Sequence, residues 1–319
     1  MASDFYDLGS LIEAEMRKSG QSICDFTLRV FTDTVSNKAD SCVLHILYCD
    51  RFTVCTDIST FLKENFLTTL SMRRVAPDTT LSLFFYAEKG ESINYSIAHS
   101  FRKKDSEALY HHSYSADVGK IADSSGVIQL NISLSSIIAD AASFAAVRPG
   151  DITLLRFIVS CGQRSISCFV NYLLNDSETF YFRNCFNVWD WATLPAATTA
   201  KTDVDRSVAI INGKSRFYNQ STAKTYEAQT GPLTSDEAEW IDQLFSSYDV
   251  FRIEPDATND VDPLLLAPIL ITDCTCEVQN EDEKLNTVKF TWRHTDNHPI
   301  VRLSASPGIF TSPYNIVYS

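Results

Sequence analysis

The sequence has few basic residues for its length, and it lacks a long apolar run. Its 319 residues contain 27 Lys or Arg against 40 Asp or Glu, which gives a net charge of −13. Because sequence-independent DNA binding needs Lys and Arg facing the phosphates, we expect no nucleic-acid contact. No stretch approaches the roughly 20 apolar residues of a membrane-spanning helix, so we expect no membrane contact.

A secretion signal is also missing, and the cysteines form no spaced framework. The first eight residues contain neither a basic region nor a long apolar region. The cysteines number nine, an odd count, and most lie in apolar, strand-like runs. A reduced thiol in such a run behaves as a small hydrophobic side chain. These features predict synthesis in a reducing cytoplasm.

Several specific catalytic and nucleotide-binding motifs are absent as well. No Gly-x-Ser-x-Gly, Gly-x-Gly-x-x-Gly or phosphate-loop motif occurs. Paired carboxylates about 5–10 Å apart hydrolyse sugars in many enzymes, but helix capping explains Asp236 and Glu237, and a hairpin loop explains residues 281–283. We therefore predict no catalytic residue and no cofactor. A hydrolase with an unrecognised site stays open as a weaker alternative.

Two pairs of potential metal ligands stand at suggestive spacings. His294 and His298 are four residues apart, as in helical zinc sites, yet the residues around them indicate a loop. Cys274 and Cys276 would share one face of a strand, but no further ligand stands at a zinc-binding spacing. We predict no metal site, and we expect the two cysteines to pack in the core or an interface.

What the sequence does contain is typical of β-structure. Phe and Tyr total 33, and Thr, Ser, Val and Ile are frequent along most of the length. We predict a mainly β fold with two or three sandwich-like or barrel-like modules, a short N-terminal helix and one capped helix near 235–247. The predicted boundaries are 1–22 for the N-terminal helix or arm, 23–104, 105–200 and 201–300 for the β modules, and 301–319 for an extended tail.

Two local signals are strong. Thr234-Ser235-Asp236-Glu237 is a capping box, in which the Thr234 hydroxyl and the Glu237 carboxylate each accept a hydrogen bond from the other's backbone amide. Asn212-Gly213 is a hairpin signal, which predicts that residues 205–211 pair with residues 215–219.

Other segments give less specific predictions. Residues 42–49 form a continuous apolar run, which indicates a buried strand. The polar stretch 102–117, which includes His111 and His112, predicts a linker or an exposed loop. Trp189 and Trp191 alternate along an extended segment; they predict half-buried core aromatics or, alternatively, a platform for a sugar or peptide.

Several segments of the C-terminal half resemble a pattern found in tail and baseplate structural proteins of tailed bacteriophages. In that pattern an aromatic-Arg-Asn element precedes a β module containing Thr-Gly-x-Leu-Thr, Glu-x-x-Trp-Ile-x-x-Leu, a paired strand and a terminal strand ending in Trp-Arg or Tyr-Arg. The matching segments are residues 179–186, 205–207, 226–247, 269–273 and 285–292. The resemblance covers roughly residues 178–300 of the printed sequence.

This resemblance implies a structural component of a phage virion, without catalytic residues. We expect an oligomeric ring or connector in the tail or baseplate, which contacts copies of itself and other virion proteins through strand edges and terminal arms. It would be made in the host cytoplasm and reside in the virion. The alternative function is a carbohydrate- or receptor-binding β-sandwich, for which a host surface glycan would be the ligand.

Overall fold

The structure is a computed structural model that describes residues 7–31, 39–50, 57–77, 79–174, 178–194, 197–255, 264–276 and 286–295. The fold is mainly β, as predicted. The helices are α1 (Gly9–Ser19), α2 (Ile58–Glu64), α3 (Leu134–Ala145) and α4 (Ser235–Ser246). The strands are β1 (Ile23–Phe31), β2 (Ala39–Leu47), β3 (Met72–Val75), β4 (Thr80–Ala87), β5 (Ser92–Lys103), β6 (Leu109–Ile121), β7 (Gly126–Ser133), β8 (Ile152–Cys161), β9 (Arg164–Val170), β10 (Glu178–Arg183), β11 (Trp189–Leu194), β12 (Ala197–Ile211), β13 (Lys214–Gln229), β14 (Val250–Pro255), β15 (Leu264–Cys276) and β16 (Val288–His294).

The first core lies between a five-stranded sheet and a two-stranded sheet. The larger sheet has the order β3-β9-β8-β5-β6, and the smaller one pairs β4 with β7. Period-two alternation of buried and less buried residues along β4 places Leu81, Leu83 and Phe85 in this core. Helix α3 adds Ile137 and Ala141 to the same core. The result is a sandwich that α3 also covers.

The second core lies between a seven-stranded sheet and α4. The sheet has the order β11-β10-β14-β15-β16-β13-β12, and α4 buries Trp240, Ile241 and Leu244 against it. The predicted capping box is confirmed: the Glu237 amide donates to Thr234 Oγ1 at 3.2 Å, and the Thr234 amide donates to Glu237 Oε2 at 2.9 Å. The cap satisfies two amides that would otherwise lack a partner at the start of the helix.

Helix α1 packs against the rest of the chain through hydrogen bonds at its C-terminal end. It ends at Gly20, whose φ of 69° places it in the left-handed region that favours glycine. The side-chain amide of Asn187 donates to the carbonyls of Met16 and Gln21 at 2.9 and 3.1 Å, and Arg183 Nη1 donates to the Gly20 carbonyl at 3.2 Å. The helix is therefore fixed against the segment that leads into β11.

A buried ionic cluster connects the two modules. Arg73 in β3 donates to Asp190 Oδ1 at 2.5 Å, and Trp240 in α4 donates to Asp190 Oδ2 at 3.0 Å. The Arg73 guanidinium lies 4.4 Å from the ring centroid of Trp191 and 5.0 Å from that of Trp240. Separating the two charges would leave each of them buried and unpaired, which is unfavourable. The cluster therefore favours the one arrangement of β3, β11 and α4 in which the charges meet.

The structure differs from three local predictions. Residues 42–45 lie in β2 as predicted, but their side chains are exposed, because β2 pairs only with β1 in the described part of the chain. Residues 109–117 form part of strand β6, where an exposed loop was predicted. Helix α3 was not predicted, although Leu134, Ile137 and Ala141 are spaced as on one helical face.

The sheets draw strands from both sides of the predicted module boundaries. β5 pairs with β6 across position 104, and β12 runs through position 200.

Burial raises the pKa of the Cys168 thiol to about 12 and also raises that of Cys161, so both thiols act as small apolar side chains. None of the four described helices combines the length and apolarity that crossing a bilayer requires. The predicted tail, 301–319, lies outside the described residues.

Candidate assembly interface

The most prominent surface feature is a long hairpin that extends past the sheet to which it belongs. β12 and β13 pair from Ala197 and Gln229 to Ile211 and Lys214. On its other side β13 pairs with β16 only over Tyr226–Gln229. Within the described strands, residues 201–225 are thus a ribbon paired only with itself, which we call the arm. At about 3.3 Å per residue it is roughly 35 Å long.

The turn and the root of the arm are both well defined. Asn212 and Gly213 have positive φ values of 54° and 74°, as the predicted two-residue hairpin turn requires. At the root, Tyr226 stacks on the fully buried Trp292 with ring centroids 4.1 Å apart. Lys201 forms an ion pair with Glu227 across the two strands. The arm therefore starts from a fixed position on the sheet.

The end of the arm exposes apolar side chains. Val208, Ile210 and Phe217 are 57, 77 and 61% exposed. Arg206, Val208 and Ile210 alternate on β12 and so share one face, and Phe217 lies directly opposite Val208. We call Val208, Ile210 and Phe217 the tip patch. Neighbouring exposed apolar residues of this kind mark interaction sites more often than isolated ones do.

Charge separates the arm from the rest of the chain. Residues 201–225 contain five Lys or Arg and two Asp, a net charge of +3, whereas the whole chain carries −13. The remainder therefore carries −16. The Arg206 guanidinium lies 5.0 Å from the ring centroid of Phe217, so a cation borders the tip patch. The arm is thus basic and ends in apolar side chains, whereas the rest of the chain is acidic.

The sequence indicated the hairpin but not its exposure. The run Val208-Ala209-Ile210-Ile211 beside Asn212-Gly213 is a strand signal whether or not a sheet covers it. Only the short pairing of β13 with β16 shows that most of the hairpin lacks a neighbouring strand among the described residues. The clustering of positive charge over residues 201–225 was the available signal that this hairpin differs from the others.

The two tryptophans proposed as a ligand platform are not presented together. Trp191 is only 9% exposed, and Arg73 packs over its ring. Trp189 stacks on Tyr181 with centroids 4.6 Å apart, while the Arg183 guanidinium lies 4.3 Å from its centroid. Because these rings are engaged within the chain, the two indoles do not form one open surface for a sugar.

The remaining candidate residues have structural partners or lie outside the described part. Glu237 forms an ion pair with Arg74 at 2.6 Å in addition to capping α4, so both of its carboxylate oxygens have structural partners. Cys274 is exposed on β15, where core or interface packing was predicted, and desolvation raises the pKa of its thiol. Residues 281–283 and His298 lie outside the described residues, as does the side chain of Cys276. Where the chain is described, no three His, Cys, Asp or Glu residues could hold a metal ion together.

Comparison with protein-family models and with curated proteins gives no match. Among solved structures, the chain is similar to a component of the virion of a native gene transfer agent particle, with 11% identity and a TM-score of 0.26 over 38% of this chain and 93% of that one. A component of the tail of an empty gene transfer agent particle with C6 symmetry matches with 12% identity and a TM-score of 0.23 over 31% of this chain and 76% of that one. A component of the phage P2 baseplate in its activated conformation with Ca matches with 10% identity and a TM-score of 0.26 over 38% of this chain and 44% of that one. At these TM-scores the overlaps do not extend to a shared overall fold.

Proposed function

We propose that the chain is a non-enzymatic structural component of a phage virion, which works as an oligomeric ring or connector in the tail or baseplate. Its partners are copies of itself and other virion proteins, and its location is the virion. The sequence resemblance over roughly residues 178–300 supports this function. The observation that carries the proposal is the arm. A long hairpin without neighbouring strands among the described residues, and with exposed apolar side chains at its end, is suited to binding a neighbouring subunit.

The arm offers two kinds of contact. Among the described strands, its outer edges have no neighbour along residues 201–225, so they present backbone amides and carbonyls to which a partner strand can be added. The tip patch supplies an apolar anchor of the kind that dominates binding energy when buried in a partner's pocket. Together they give the partner both a main-chain register and a side-chain anchor.

Charge favours a contact between the arm of one copy and the body of another. The arm carries +3 and the remainder −16, and complementary potentials speed association and orient the partners. Such a contact joins two different surfaces of the same chain. Repeated head to tail, it closes into a ring when the rotation permits and otherwise extends into a filament.

Two contacts within the chain would keep its two modules together when a neighbouring subunit pulls on the arm. The stack of Tyr226 on Trp292 fixes the arm's root to the seven-stranded sheet. The Arg73–Asp190 ion pair then connects that sheet's module to the five-stranded one. Load applied at the arm is thereby transferred to both cores.

The decisive experiment shortens the arm. Replacing residues 205–221 by Asn-Gly joins Val204 to Thr222, which already face each other in register, through a turn like the natural one. We expect the shortened protein to remain folded and to lose self-association, measured by light scattering after size exclusion and by negative-stain electron microscopy. The full chain should form rings or short filaments at the same concentration.

Leu173→Ser provides the control, because Leu173 is 85% exposed but lies outside the arm. This variant should assemble as the full chain does. Equal assembly of the shortened and full proteins would refute the role of the arm. A full chain that stays monomeric at high concentration, both alone and with purified particle proteins, would overturn the proposed function itself.

A further inference from the structure

A cluster of two histidines and one carboxylate lies under α3, away from the arm. His99 in β5 is directly opposite His112 in the neighbouring strand β6. Asp140 in α3 places Oδ2 3.6 Å from His99 Nε2 and 3.5 Å from His112 Nε2. The helix thus presents a single acid to two imidazoles that belong to neighbouring strands.

Three buried polar atoms of this cluster have no hydrogen-bond partner within the described residues. The His99 side chain is fully buried, yet neither of its ring nitrogens has a hydrogen-bond partner. The buried Oδ2 atom of Asp140 also lacks one. Buried polar atoms are normally paired because leaving them without a hydrogen bond is unfavourable. An exception involving three converging groups calls for an explanation.

The surroundings are largely apolar. Phe144 of α3 stacks on His112 with ring centroids 4.2 Å apart, and Phe101 lies 5.7 Å from His99. In β8, Phe157 is opposite His99. The titratable or charged side chains on the faces that pack here are Asp140 of α3, Tyr110, His112 and Tyr114 of β6, Tyr95 and Lys103 of β5, and Cys161 of β8. Of these, Asp140 and His112 approach His99 most directly.

We propose that His99, His112 and Asp140 form a proton-binding site that controls how tightly α3 is held on the five-stranded sheet. At neutral pH the His99 imidazole is uncharged and packs as a core ring. In acid a proton from solvent adds to one of its ring nitrogens, and the new cation cannot be hydrated in place. Outward movement of α3, which carries the partly exposed Asp140 and Phe144, admits water and relieves that cost.

The sign follows from burial. Desolvation lowers the pKa of His99 below 6.5; the Asp140 carboxylate acts in the opposite direction, and His112 reinforces the lowering. The folded state therefore binds this proton less readily than the unfolded state. Its contribution to stability is complete above about pH 6.5 and is lost progressively as the pH falls below that value. Acid loosens α3, whereas base has no such effect.

Two measurements test this site in the full chain. Carbon-13 NMR of labelled histidines gives the pKa of His99 directly, and we expect a value below 6.5. Hydrogen exchange of the α3 amides, corrected for intrinsic rates, should show an opening constant that rises by up to tenfold per pH unit below pH 6.5. His99→Leu should remove this dependence, and His99→Gln serves if the leucine variant does not fold.

His111→Gln is the matched control, since His111 adjoins His112 in sequence but is exposed and contacts Ser100 instead. It should leave the pH dependence of α3 unchanged. A His99 pKa at or above 6.5, or exchange in α3 that is independent of pH between 5 and 7.5, would overturn the proposal. So would an unchanged acid response in both His99 variants.

Discussion

The chain contains two long hairpins that are built alike and placed differently. β5 and β6 have 12 and 13 residues, and β12 and β13 have 15 and 16. Both pairs are antiparallel, and each has a register irregularity. The first pair is flanked by β8 and covered by α3. The second has no neighbour along most of its length in the described structure.

The difference shows that tertiary neighbours decide whether the apolar residues of a hairpin are buried or exposed. Ile97 and Phe101 of β5 are fully buried, whereas Ile210 of β12 and Phe217 of β13 are 77 and 61% exposed. All four residues favour strands. Burial makes the first pair part of the core. Exposure leaves the second pair's apolar residues accessible to the partner proposed above, and the following substitutions separate the two roles.

The largest effect is expected for Phe101→Ala in the covered hairpin. Phe101 is fully buried and contacts Tyr110 in a stacked arrangement with centroids 5.5 Å apart. Removal of a buried Phe side chain leaves a cavity, so we expect a loss of about 3–5 kcal/mol in unfolding free energy. Urea denaturation followed by tryptophan fluorescence measures it. A loss below about 1 kcal/mol would contradict the described packing.

An intermediate and local effect is expected for Gly213→Ala at the turn of the arm. A Cβ there would meet open space, but a φ of 74° strains any residue with a side chain. The cost of about 1 kcal/mol should appear as a roughly fivefold faster exchange of the arm amides around Ala209. Amides of β5 should not change. Equal acceleration in both hairpins would mean that the arm unfolds together with the core.

The smallest effect on stability is expected for Phe217→Ser in the tip patch. An exposed side chain contributes little to folding, so the unfolding free energy should change by no more than about 0.5 kcal/mol. Self-association should weaken all the same, because the apolar anchor is lost. Sedimentation velocity at several concentrations measures the association. A stability loss like that of Phe101→Ala would show that the patch is folded against its own chain.

Sequence reasoning predicted the features that depend on a few adjacent residues. The Asn212-Gly213 turn and the Thr234–Glu237 cap both occur where expected. Each depends on backbone angles or hydrogen bonds within one turn of the chain. The mainly β character follows equally directly from the abundance of residues that favour strands.

Features that depend on distant neighbours were missed. The run at residues 42–49 indicated burial, yet burial needs a covering layer, and β2 has only β1 beside it in the described strands. The His99 cluster joins residues 13 and 41 positions apart, which only the sheet pairing and the packing of α3 bring together. For α3 the helical spacing was present in the sequence, and the surrounding β pattern obscured it.

The register shift between Ser207 and Val208 has a consequence for the end of the arm. On the side of the shift towards the root of the arm, Ser207 is opposite Asn219. On the side towards the turn, Val208 is opposite Phe217, so β13 contributes one extra residue. With uninterrupted pairing, position 218 would oppose Val208, and Phe217 would point to the reverse side of the ribbon. The one extra residue thus brings Phe217 to the side of the ribbon that carries Val208 and Ile210, so a subunit that binds the tip patch would have to approach from that side.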